Sequence, residues 1–235
     1  MTTRSVQGYA RLAGALTLVS LIAGGFGEAY VPAKLMVPGN AAATASNFIA
    51  HEGLARLGFA GYLIEAMCDV GLSGLLYFLL RPVNRDLALL AAFFRLVGTA
   101  VFAVAELFYF APVFILGGAE YLKAFSPEQL HALAMLSLKF YSYGAGLFLA
   151  IYGLPSVALG YLMYRSGYIP RFVGILFALS GAGFIYQNLA IVLMPRYASP
   201  ITLLPAGLAA MAMAGWFLAR GVDVQRWQER TALQS

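Results

Sequence analysis

LGFAGYLIEAMCDVGLSGLLYFLLRPVNRD, residues 57–86, decides the fold of this chain. Residues 57–80 are almost wholly apolar, and about 20 such residues carry a helix across the hydrocarbon core of a bilayer. The run stops in RPVNRD at 81–86, and a second apolar run begins at once with Leu87. Two long apolar helices joined by a tight basic turn make a membrane hairpin. Inside the first of them stand two acids, Glu65 and Asp69. Four residues apart, they share one helix face. Acids in hydrocarbon are costly and turn toward protein or water rather than lipid. This face therefore looks inward, and the remaining helices are expected around it.

The rest of the chain agrees. Of its 235 residues, 61% are hydrophobic and only 11% charged, against roughly 25% charged in soluble domains. The deficit runs the whole length, which excludes an ordinary soluble domain with a hydrophobic tail. The net charge of +5 comes without any basic run, so it points away from nucleic acid and toward the positive cytoplasmic loops of a membrane protein. The one cysteine, Cys68, cannot form an intramolecular disulfide and reads as a small packing residue. The first apolar run follows Arg4 and Arg11 and superficially resembles a signal peptide; it reads as a true span.

Spans are expected at 9–30, 57–80, 87–117, 130–164, 172–194 and 201–219, in a single all-α domain over 1–235 with a polar tail at 220–235. Trp227 in that tail is expected at the membrane interface. Residues 31–56 form the longest connection; Asn40 suits the N-cap of a short amphipathic helix, too short to cross, that lies on the outer surface or folds back over the bundle mouth. Ser126 caps the fourth span, with Pro127 in its first turn. The long third span is expected to tilt, bend at Pro112 or project, and the fourth to kink where Gly144, Gly146, Gly153 and Pro155 interrupt it. With the N-terminus inside, inner segments hold nine Lys and Arg (Arg4, Arg11, Arg81, Arg85, Arg165, Arg171, Arg220, Arg226, Arg230) and outer ones four (Lys34, Arg56, Lys123, Arg196). The asymmetry places both termini in the cytoplasm.

RLAGALTLVSLIAGGFGE, VPGNAAATA, RLGFAGYLIEAMCDV, YFLLRPVNRDLALLAAFFRLV and LGYLMYRSGYIPRFVGILFALSG together resemble a family of bacterial six-helix membrane proteins catalogued as domain of unknown function 4386. The likeness covers residues 9–220, and the RPVNR turn with LALLAAFFRLV is its most specific part. It implies a six-helix protein of the bacterial cytoplasmic membrane. It implies no activity, substrate or catalytic residue.

Depth along each span then sorts the polar residues, at about 1.5 Å per helical residue. From the cytoplasmic ends, Asp69 lies at ~16 Å and Arg95 at ~12 Å on adjacent antiparallel helices, which predicts a structural ion pair. From the outer ends, Glu65 and Lys139 lie at ~12 Å, Glu106 at ~16 Å, and Gln187 and Asn188 at ~10 Å, with Tyr141 and Tyr143 at comparable depth. A layer of polar groups from four helices describes an outward-facing cavity, in which Lys139 neutralises one acid. The bland alternative is an interhelical hydrogen-bond network. His51 and His131 both lie on the outer side and are weak metal candidates, since a stable zinc site wants three or four ligands. No Walker loop, dinucleotide fingerprint or nucleophile elbow is present, and no cofactor is predicted. The leading reading is non-enzymatic: a bilayer-embedded protein that binds or passes a small or lipophilic molecule. The alternatives are an intramembrane enzyme working through Glu65, Asp69 or Glu106, and an accessory subunit docked on a membrane protein partner.

Overall fold

A computed structural model describes residues 3–233, and among these there is no strand. Six helices are long and apolar enough to cross a membrane: Ser5–Leu35, Glu52–Leu80, Arg85–Ile115, Pro127–Ser166, Arg171–Leu193 and Pro200–Ala219. The fold is all-α and polytopic. Exposed side chains on these helices include Ile22, Met67, Leu107 and Val192, and such residues meet the lipid bilayer. Gln234 and Ser235, the end of the expected tail, lie outside the described residues.

The first span is longer than expected. Helix α1 (Thr3–Gly24) runs without a break through a π-helical turn, Gly25–Tyr30, into α2 (Val31–Leu35). The sequence offers a reason. Pro32 has no N–H to donate to the carbonyl four residues back, and the Val31 N–H bonds to Phe26 O in the wider π register. Helix α3 (Ala41–Ala50) starts as predicted, with Asn40 Oδ1 accepting from the Ala43 N–H at 2.9 Å. It ends one residue before His51, so that α4 (Glu52–Leu80) begins five residues ahead of the expected Leu57. The His51 carbonyl accepts from Leu54 and Ala55 and opens the new helix.

Helices α5 (Arg85–Ile115) and α6 (Pro127–Ser166) run on as single helices through Pro112 and Pro155. Neighbouring groups in spanning bundles make an internal proline tolerable. Ser126 and Gln129 cap α6 reciprocally: Gln129 Oε1 accepts from Ser126 N–H at 2.8 Å, and Ser126 Oγ accepts from Gln129 N–H at 3.3 Å. Helix α7 (Arg171–Leu193) is followed by two short 3₁₀ turns, α8 (Leu204–Ala219) and α9 (Val224–Ala232).

The sequence reading treats the chain as one domain. Its backbone contacts divide it into two compact units. One comprises Met1–Leu21, Met67–Thr99 and Leu147–Ser235; the other comprises Ile22–Ala66 and Ala100–Gly146. The boundaries fall inside α1, α4, α5 and α6.

The first unit holds a continuous apolar core that includes Leu76, Leu79, Leu159, Met163, Val173, Phe217 and Trp227. Two features tie it together. Helices α6 and α7 touch backbone to backbone at Gly153 and Gly160 on one side and Gly174 and Gly181 on the other. Both pairs are seven residues apart, so each pair lies on a single helix face.

The second feature corrects the reading of the tail. Trp227 is buried rather than interfacial. Its Nε1 donates to Leu79 O at 3.0 Å, and Tyr168 Oη donates to the same carbonyl at 2.7 Å. Leu79 stands in the last turn of α4, where carbonyls lack partners within the helix. Helix α9, capped by Asp223, also sends Arg226 to Gly167 O and Arg230 to Arg165 O, both at the end of α6. Burial pushes the Tyr168 phenol above its ordinary value, with the Arg230 guanidinium acting the other way, so Tyr168 stays a donor to Leu79. Trp227→Phe keeps the ring and loses the N–H, and is expected to lower stability by about 1 kcal/mol. Trp227→Ala also opens a cavity and is expected to cost about 3–5 kcal/mol. Detergent unfolding of the two variants, followed by the remaining Trp216, measures both.

Candidate functional site

The expected pair of charges is present in the first unit. Arg95 Nη2 donates to Asp69 Oδ1 at 2.9 Å, and both side chains are nearly fully buried. Two partners the sequence reading missed complete the group. Ser73 Oγ accepts from Arg95 Nε at 3.3 Å and donates to Asp69 O at 2.8 Å. Tyr152 Oη donates to Asp69 Oδ1 at 3.2 Å, while its ring lies under the Arg95 guanidinium at 4.6 Å. Arg95 Nη2 and Nε and Asp69 Oδ1 thus all have partners within the protein. Cys68 beside Asp69 is buried.

Gln187 and Asn188 belong to this same unit. Gln187 Oε1 accepts from Ser199 N–H at 2.8 Å and from Thr202 Oγ1 at 3.1 Å, holding the turn between α7 and α8. Asn188 Nδ2 donates to Phe184 O within α7. Both residues are buried and make local bonds.

The second unit contains a different kind of centre. Tyr62 on α4, Tyr109 on α5 and Tyr141 on α6 pack ring to ring, with centroid separations of 5.1, 5.4 and 6.2 Å. The hydroxyls of Tyr62 and Tyr141 are hydrogen-bonded at 2.8 Å. Phe102 and Phe48 close the cluster against Tyr62 and Tyr109. Glu106 sits one turn before Tyr109 on α5 and is 3% exposed. Neither of its carboxyl oxygens, nor the buried Tyr109 hydroxyl, has a hydrogen-bond partner among the described residues. Glu106 is within electrostatic reach of Tyr62, Tyr109 and Tyr141, and of Glu28 in the π-helical turn.

Glycines make room for these polar atoms. A side chain at Gly58 would meet Tyr109 Oη at 2.8 Å, and one at Gly24 would meet the Glu65 carboxyl, Oε2 at 2.5 Å. The backbones of the first span and α4 approach closely here, with Gly61 against Ala23 O and Gly27 against Gly58 O. Glu65 is half-buried and lies against Gly24.

The remaining candidates of this unit lie elsewhere. Lys139 and Tyr143 are exposed, and Glu106 accepts no bond from Lys139. His51 is exposed at the end of α3, and His131 is half-buried in the first turns of α6. Among the described residues no three His, Cys, Asp or Glu side chains are grouped to hold a metal ion. Tyr62, Tyr109 and Glu28 were not picked out by the sequence reading as part of a site. The spacing Tyr62–Glu65 on α4, matched by Glu106–Tyr109 on α5, was the available signal: three residues apart on each helix, these pairs share a face.

Comparison with known proteins adds kinship without activity. A protein of Archaeoglobus fulgidus named "Uncharacterized protein" is 32% identical over 130 residues, which is 55% of this chain and 64% of the relative. The match thus spans less than two thirds of that relative's length. No solved structure matches the chain. The model of a family described as domain of unknown function (DUF4386) matches residues 12–221, nearly the whole of this six-span chain, and the chain belongs to that family.

Proposed function

We propose that this integral membrane protein binds or passes a small or lipophilic molecule at the tyrosine-lined centre of its second unit. Glu106, Glu65, Tyr62, Tyr109 and Tyr141 carry the reading. The single observation behind it is Glu106: a carboxyl 3% exposed, in a spanning helix, with neither oxygen bonded among the described residues. A buried acid without a partner is costly and is retained where it is used. Asp69 makes the contrast, because its Oδ1 accepts from both Arg95 and Tyr152. The nine-to-four split of basic residues supports both termini inside, which puts the centre toward the outer side of a cytoplasmic membrane.

Native mass spectrometry of the full chain extracted in mild detergent tests this. A retained molecule is expected above the mass of the chain. Its occupancy is expected to fall roughly tenfold or more in Glu106→Gln, since a hydrogen bond to a charged group is worth about 1.5–3 kcal/mol. Retention unchanged in that variant, or no retained molecule in any lipid-like detergent, counts against the reading. A chain that always co-purifies with a second protein supports the accessory-subunit reading instead.

A further inference from the structure

We propose that Glu106 takes up and releases a proton, so that the membrane centre of this chain is proton-linked. The proposal deepens the reading above and shares with it only the placing of function at Glu106.

An anionic carboxyl in hydrocarbon needs a positive partner. The lysines and arginines of this unit do not supply it. Lys34, Arg56, Lys123 and Lys139 of this unit are all exposed, and Arg56 and Lys123 are engaged by Glu52 and Glu120. A bound metal ion wants several oxygen or nitrogen ligands, and the described residues contain no such group. A proton is the positive partner that needs no cluster of ligands.

Other titratable side chains stand in the same unit. Glu28 stands exposed in the π-helical turn, within electrostatic reach of Glu106. A π turn inserted in a spanning helix is a recurrent mark of functional sites. The hydroxyls of Tyr62 and Tyr141, bonded to each other, both donate and accept. The titratable groups within electrostatic reach of Glu106 are Glu28 from the first span, Tyr62 from α4, Tyr109 from α5 and Tyr141 from α6. Glu65, one turn beyond Tyr62, lies against Gly24, and α3 contributes the uncharged Phe48. On uptake an O–H bond forms at a Glu106 oxygen while the bond to the donor breaks. The donor is water. Glu106 passes from anion to neutral acid, and the donor gains the negative charge.

Infrared difference spectroscopy of the full chain in lipid, stepped in pH, reads this directly. The expected result is a carboxylic-acid C=O band that appears and disappears with pH in the wild type and is lost in Glu106→Gln. Glu106→Asp, which keeps an acid at the position, should shift the band and serves if the glutamine variant does not fold. A difference spectrum identical in all three proteins overturns the proposal, as does a wild type without a titrating acid band. A band lost in Glu106→Gln together with no retained molecule in mass spectrometry keeps the proton site and sinks the ligand reading.

Discussion

Arg95→Met is expected to destabilise the protein by roughly 3–5 kcal/mol, the cost of leaving one member of a buried ion pair without the other. Asp69 would keep the Tyr152 hydroxyl, at 3.2 Å, as the side-chain donor to its Oδ1. Ser73 Oγ would lose the guanidinium it accepts from, and the Tyr152 ring would lose the cation stacked on it. The double variant Asp69→Leu/Arg95→Met removes both charges, and is expected to recover much of the loss, because apolar side chains of similar volume replace buried ion pairs at little cost. Arg95→Lys should fall between. It keeps the charge but not the planar fork that reaches Asp69 and Ser73 together. Unfolding by SDS in mixed micelles gives all three. A single variant within about 1 kcal/mol of wild type would show that this pair behaves like an exposed one, against its burial.

The same group shows how far the sequence could be read. Hydropathy alone located six spans, because a bilayer sets one length and one polarity for every crossing helix. Depth counting paired Asp69 with Arg95, since a short turn fixes two neighbouring helices end to end. It could not find Tyr152, which lies 83 residues from Asp69 in sequence and is brought in by packing alone. Depth also gathered Lys139, Tyr141 and Tyr143 into one layer without asking which way each points. Two residues turn a helix by about 200°, so with Tyr141 in the tyrosine cluster, Lys139 and Tyr143 must leave on the other side, and both are exposed. Trp227 was misjudged for a related reason. A tryptophan on a short polar helix looks interfacial until the bare carbonyl at the end of α4 is known to lie beside it. The π-helical turn was hidden because it is a choice of hydrogen-bond register, which apolar periodicity does not record.

Gly160→Ala is expected to weaken the protein by roughly 1–3 kcal/mol, although alanine is the better helix former. Its methyl would lie 2.5 Å from the backbone N of Ala178 and 2.6 Å from Gly174 O. Both obstacles are main chain, so no side-chain rotation relieves them, and α6 and α7 must move apart along their contact. The clash recurs one heptad away, where a methyl at Gly181 would meet Gly153 O at 2.5 Å. The two sites are about 10 Å apart along the helix. The double variant should therefore cost about the sum of the singles if the helices yield locally, and less than the sum if one separation relieves both. Gly74→Ala and Gly215→Ala are the controls. Nothing lies within 4 Å of a methyl at either position, so helix propensity alone acts, and both should be neutral or stabilising by up to about 1 kcal/mol. The sign of the effect, read from SDS unfolding midpoints, separates the two kinds of glycine. If Gly160→Ala and Gly74→Ala change stability in the same direction, backbone contact between α6 and α7 is not what these glycines provide.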